Sequence, residues 1–200
     1  MQQPSQLLYE TPFIAYYEQL VTPSECRQLI DLSRKKLQPA TVMGKTNSKV
    51  SAIRKSENTW FNHDSNEVVR QICERISATV DSPLNYAEKL QVARYTAGGK
   101  FNAHVDCFDP WTQMGRSHIE KHGQRLITAL LYLNNVDSGG ATLFPRLNIS
   151  VTPSEGRLLV FENCTKGTNR SHLLSLHEGC LVNEGEKWIA TLWFHEKAQY

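Results

Sequence analysis

In the stretch Tyr95 to Asp106, read as YTAGGKFNAHVD, His104 and Asp106 stand two residues apart. On an extended strand such side chains leave the same face, so an imidazole and a carboxylate point one way. They would supply two of the three ligands of a facial triad. That site holds Fe(II) by two His and one Asp or Glu and leaves coordination positions open. Alone, a His-x-Asp pair is a weak signal, because many such pairs are solvated surface residues. The third ligand has to come from downstream, where His172, His177 and His195 are candidates. Spacing does not choose among them.

Ten residues after His177 comes Lys187, in the alternating run Lys187, Ile189, Thr191, Trp193. If the two segments form a hairpin with an odd loop, such as Glu184-Gly185-Glu186, both side chains face one side. An even loop puts them on opposite sides unless a bulge intervenes. In facing sheets the parity argument lapses, and each residue need only point inward. A lysine aimed between walls of Ile, Thr and Trp needs an anion, since an unpaired buried ammonium gives up its proton. A ligand with a distal carboxylate would supply one, and a charge-assisted hydrogen bond contributes roughly 1.5–3 kcal/mol. Otherwise Lys187 snorkels from a strand end into water.

The elements that must position these residues sit in a chain of 200 residues with a formal net charge of +2. That length suits one domain, able to bury roughly 70% of the surface it exposes unfolded. The charge is too small to make nucleic acid or membrane the expected main partner. There is no run of about 18 apolar residues, and MQQPSQLLYETPF lacks a basic start and an apolar core. No signal peptide or membrane span is expected, which favours the cytoplasm. The five cysteines (Cys26, Cys73, Cys107, Cys164, Cys180) are odd in number, with no CxxC. That argues against a disulfide framework or structural zinc and fits a reducing compartment. Cys107, beside Asp106, reads as a buried thiol.

Residues 13–20 (FIAYYEQL) read as a strand. Thr22-Pro-Ser-Glu25 opens a helix that runs out near Lys36: Thr22 can cap, Pro23 fits the first turn and Glu25 can return the cap. Ser33 to Ser56 carries seven Lys/Arg and no Asp/Glu, and reads as a solvated loop or a flap over substrate. Glu67 to Val80 reads as a second helix, capped by Asp64, with a stripe of Val68, Val69, Ile72, Ile76 and Val80. From Leu90 the pattern alternates, turns at Gly98-Gly99 and alternates again to Asp106. Cys107 to Gly123 reads as a long polar loop, with His118 and His122 solvated. Leu126–Leu133 and Arg157–Phe161 read as buried strands. A turn at Asn134–Gly140 leads into Ala141–Phe144, while His172–Val182 and Lys187–Phe194 look extended. Helices confined to the first half and many short strands describe an α+β chain with a sandwich or barrel core.

YTAGGKFNAHVD, QRLITALLYLNN, GGATLFP and HEGCLVNEGEKWIATLW together resemble the catalytic domain of the prolyl 4-hydroxylases, which are Fe(II)- and 2-oxoglutarate-dependent dioxygenases. The resemblance covers about residues 90–196. It is looser at PFIAYYEQLVTPSECRQLIDLS and IRKSENTWF. It implies a double-stranded β-helix, a jelly-roll variant, over about 89–196, with N-terminal helical support over about 1–88 in a single domain, 1–200. It makes His104, Asp106 and His177 the iron ligands and Lys187 the anchor of the far carboxylate of 2-oxoglutarate. Tyr95 and Thr142 become hydrogen-bonding neighbours of that carboxylate, Trp193 lines the pocket, and Arg125 stands at the substrate side. O2 is the co-substrate, ascorbate a reductant, and a proline-containing peptide or protein the partner. Phe101 departs from the pattern, since the family commonly has Tyr three before the first His ligand. The chain has no room for the separate peptide-binding domain of the large animal collagen enzymes.

Two other readings stay open on sequence: a hydroxylase of a free amino acid or other small molecule, and a silent jelly-roll binding module. A zinc hydrolase could use a similar triad but leaves Lys187 and Tyr95 without a role.

Overall fold

The structure, a computed structural model, describes residues 1–40 and 54–200. In chain order the strands are β1 (Gln6–Tyr9), β2 (Ile14–Tyr17), β3 (Gln38–Pro39), β4 (Arg54–Lys55), β5 (Glu57–Phe61), β6 (Leu90–Thr96), β7 (Lys100–His104) and β8 (Arg125–Tyr132). There follow β9 (Ser138–Gly139), β10 (Thr142–Phe144), β11 (Ile149–Val151), β12 (Leu158–Glu162), β13 (His177–Gly179), β14 (Val182–Glu184) and β15 (Glu186–His195). The α-helices are α1 (Pro23–Arg34), α2 (Glu67–Val80) and α3 (Gln113–His122).

A large sheet runs β1-β2-β12-β8-β15-β6-β5-β3, and a smaller one runs β11-β10-β13-β7-β4. Together they form the expected jelly-roll core in an α+β chain. Period-two alternation assigns the faces of the large sheet. On β15, Trp188, Ala190, Leu192 and Phe194 pack with α1 and α2. Lys187, Ile189, Thr191 and Trp193 alternate with them and line the pocket between the sheets. On β8, Ala129 and Leu131 go to the helices, while Thr128 and Leu130 go to the pocket. One face thus builds a core and the other a site.

The helices brace the outer face. Thr22 and Glu25 form the expected capping box on α1, and Glu25 also binds Arg75 of α2 at 2.9 Å. α2 buries Val69, Ile72, Ile76 and Val80 against the sheet, each such side chain contributing about 1.5–3 kcal/mol. Its cap is Asn66, whose side chain accepts from the Val68 amide, and not Asp64. Three consecutive residues there, Asp64, Ser65 and Asn66, are all capping types, and the extended backbone falls at the last.

Two further expectations are corrected. Cys107 to Gly123 is not all loop, because α3 forms within it, capped by the Thr112 hydroxyl on the Gly115 amide. His118 and His122 are half-buried rather than fully solvated: His118 stacks on Phe108 at 4.9 Å between centroids, and both line the large outer cavity. Most of the basic stretch Ser33–Ser56, with its suggested flap, lies outside the described residues.

Candidate metal centre and its surroundings

β7 and β13 run antiparallel in the small sheet with His104 directly opposite His177. Cross-strand partners share a face, so the two imidazoles meet, with ring centroids 4.3 Å apart. Asp106 lies past the end of β7, in a bend, so the same-strand argument holds in its result though not in its geometry. The donor atoms of His104, Asp106 and His177 all lie within 4.8 Å of one another. His104 Nε2 is 3.4 Å from Asp106 Oδ1, and His177 Nε2 is 3.8 Å from Oδ2. His172 and His195 stand outside this cluster. His172 shapes the turn before β13, where its carbonyl accepts from the Ser175 hydroxyl.

Both imidazoles are set to ligate. The His104 Nδ1–H donates to the Asn102 carbonyl at 2.8 Å, and the His177 Nδ1–H donates to the Ser175 carbonyl at 3.0 Å. Each Nε2 is left with its lone pair free, as a metal requires. Burial pushes the His177 imidazole down to about 4, against the pull of Asp106, so it is neutral at ordinary pH. Burial opposes ionisation of Asp106, but the electrostatic pull of His177, His104 and Arg125 together holds its carboxyl well below the usual range. Phe101 stacks on His104, and Phe161 packs against His177.

Lys187 enters from the opposite sheet. β13 and β15 do not form a hairpin; they lie in different sheets, so the facing-sheet geometry applies. Gly185 makes the turn from β14 into β15 at φ +75, where a Cβ would stand 2.3 Å from Asp137 Oδ2. Only glycine fits there. Two residues on, Lys187 is buried, directly opposite Tyr95 on β6. Burial pushes its ammonium down to about 8, and no carboxylate among the described residues offsets that. Thr142 is also buried in the pocket, and its hydroxyl accepts from Tyr132 at 2.7 Å.

Trp193 does more than line the pocket: its Nε1–H donates to Asp106 Oδ2 at 2.9 Å. Thr128 donates to the same oxygen at 2.6 Å, a contact the sequence reading missed. Its signal was a lone threonine in the run LITALLYL, at the inward parity.

Arg125 covers the outer side of Trp193, with its guanidinium 4.4 Å from the ring centroid. It is held by Glu88, at 2.5 Å and 2.9 Å, and Glu88 also takes a bond from His195 at 2.7 Å. Burial works against the Glu88 carboxylate, yet His195 and Arg125 bring it down to about 2. Arg125, Glu88 and His195 line a cavity of about 830 Å³, with Trp60, His63 and Phe108 among its other walls. The Arg125–Trp193 stack therefore separates this cavity from the inner pocket.

The donor set suits ferrous ion: two imidazole nitrogens and one carboxylate. The buried, acid-free Lys187 suits a dicarboxylate beside it.

Residues 90–195 match the model of the 2OG-Fe(II) oxygenase superfamily. A putative prolyl 4-hydroxylase of Acanthamoeba polyphaga mimivirus is 38% identical over 94% of this chain and 76% of its own. Prolyl 4-hydroxylase 2 of Arabidopsis thaliana is 35% identical over 90% of this chain and 66% of its own. Among solved structures, the viral collagen prolyl hydroxylase of Paramecium bursaria Chlorella virus-1, in its 2OG complex, is similar at a TM-score of 0.72. The two are 29% identical, and the match covers 90% of this chain and 94% of that one. With a facial triad between the sheets of a jelly roll, the chain belongs to the 2OG-Fe(II) oxygenase superfamily, in its prolyl 4-hydroxylase family, and uses Fe(II) and 2-oxoglutarate.

Proposed function

We propose that this chain hydroxylates prolyl residues at the 4-position in a peptide or protein. The substrate C–H becomes C–OH while 2-oxoglutarate and O2 become succinate and CO2, so one atom of O2 goes to the alcohol and the other to succinate. The observation that carries this reading is the convergence of His104, Asp106 and His177 on one point, beside a buried lysine that lacks an acid.

His104 Nε2, His177 Nε2 and Asp106 would hold ferrous ion, which supplies the oxidising chemistry when bound, with ascorbate as reductant. Lys187 would take the far carboxylate of 2-oxoglutarate, with Tyr95 and Thr142 beside it, and so fix its orientation. Phe161, Phe144 and Ile189 keep water from the inner pocket. No side chain has to act as a general base. Arg125 stands at the substrate side, on the wall of the outer cavity. The likeness to a collagen prolyl hydroxylase supports a peptide over a free amino acid as substrate.

We also propose a single catalytic unit over 1–200, with the front half as support for the core. No helix among the described residues is long and apolar enough to cross a membrane. Five free cysteines support a reducing compartment, and we assign the chain to the cytoplasm.

The test is a peptide-library assay with iron, 2-oxoglutarate and ascorbate, scored by the added mass of one oxygen. Proline-containing peptides should gain it and release equal succinate. Turnover of free proline with no peptide product would move the assignment to a small-molecule hydroxylase. Failure to bind iron or 2-oxoglutarate would leave a binding module.

A further inference from the structure

Asp106 is gripped by a chain of donors. Its Oδ2 accepts from Thr128 at 2.6 Å and from the Trp193 indole at 2.9 Å. The Thr128 hydroxyl oxygen in turn accepts from Asn163 Nδ2 at 2.8 Å. All four side chains are buried.

The direction of these bonds is forced. An ionised carboxylate only accepts and an indole N–H only donates. The single proton of Thr128 is thus committed to Asp106, and its oxygen must receive from the amide end of Asn163. Asn163 Oδ1 is left buried with no partner among the described residues. The orphaned oxygen marks the far end of a chain whose near end is a ligand atom. Asn163 also holds the next residue after Asp106, since its carbonyl accepts from the Cys107 thiol at 3.0 Å.

We propose that Thr128, aligned by Asn163, is a positioning residue that joins Trp193 in occupying Asp106 Oδ2, so that Asp106 offers a metal one oxygen, Oδ1. Oδ1 lies 3.4 Å from His104 Nε2, while the occupied Oδ2 stands 3.8 Å from His177 Nε2. A carboxylate free to turn would offer both oxygens and fill a coordination position that the co-substrates need. Groups that orient a ligand from behind in this way are typically worth 10–100-fold in metal affinity.

The inference rests on the triad as the metal site, and cobalt(II) titration of the metal-free protein, followed by visible absorption, separates the two. Wild type should bind cobalt(II) and His104→Ala should not; a wild type that does not bind overturns both readings. Thr128→Val should bind about 10–100-fold more weakly, with altered bands as a second oxygen enters. Thr128→Ser should restore affinity and spectrum. A folded Thr128→Val with wild-type affinity and bands overturns the positioning role and leaves the metal site standing. Thr128→Val strips Asn163 of its acceptor, so folding is checked first by circular dichroism. If it fails to fold, Asn163→Ala decides, because it keeps the hydroxyl and frees its rotation. It should show a smaller loss in the same direction, and wild-type behaviour overturns the proposal.

Discussion

Lys187 and Tyr95 face each other across neighbouring antiparallel strands, with the ammonium 5.8 Å from the Tyr95 ring centroid and 5.6 Å from that of Tyr132. Two aromatic rings sustain a buried cation until an anion arrives. The charge is placed in advance, with no carboxylate among the described residues paired to it.

Removing that charge should therefore weaken 2-oxoglutarate and spare the metal. Lys187→Ala is expected to lower 2-oxoglutarate affinity about 10–100-fold, the equivalent of one charge-assisted hydrogen bond. Calorimetry on the cobalt(II)-loaded protein reads it. Unchanged affinity would strip Lys187 of its role.

Binding should also depend on pH. The free protein holds Lys187 down to about 8, and the dicarboxylate binds the protonated form. Below that value the proton is already in place and affinity is flat. Above it a proton has to be taken up on binding, so affinity falls toward tenfold per pH unit. Lys187→Arg stays charged and should flatten the profile. A slope shared by both proteins would assign the titration elsewhere.

The identity of the third ligand has a direct test. His177→Ala should lose iron and activity, while His172→Ala should keep iron, because His172 supports the turn that presents the Ser175 carbonyl through its backbone, which the variant keeps. Metal analysis of both purified variants decides, and iron lost from His172→Ala but kept by His177→Ala would reverse the assignment.

Glu88 gives a prediction in acid. Its folded value of about 2 lies below its ordinary 4.5, so its stabilisation is present above 4.5 and lost as pH falls toward 2. A shift of that size corresponds to the order of 3 kcal/mol. Glu88→Gln should be less stable than wild type at neutral pH, with the difference closing between about pH 4.5 and 2. Urea melts across that window would show it, and parallel curves would refute it.

Much of this site was legible in the sequence. The alternation Lys187, Ile189, Thr191, Trp193 placed four pocket residues on one face without any knowledge of the partner strands. The choice of His177 over His172 was not legible from spacing, because it depends on β13 pairing with β7 across more than seventy residues of chain. Thr128 was hidden by its apolar neighbours, and the Asn163 bond by its distance along the chain. α3 was hidden by composition: Cys107 to Gly123 is largely polar and reads as loop, yet Gly115 is where the helix packs too closely for any Cβ. A Cβ there would meet the Asp109 carbonyl oxygen at 1.9 Å.

The two imidazoles hang from the narrow sheet, while the groups that steady Asp106 and the lysine beside them belong to the wide one. An ion seated among them acts as a rivet through two plates. Loading it should quiet the breathing of the plates against each other, so that the amides of β8 and β15, which bear no ligand, exchange more slowly with metal than without.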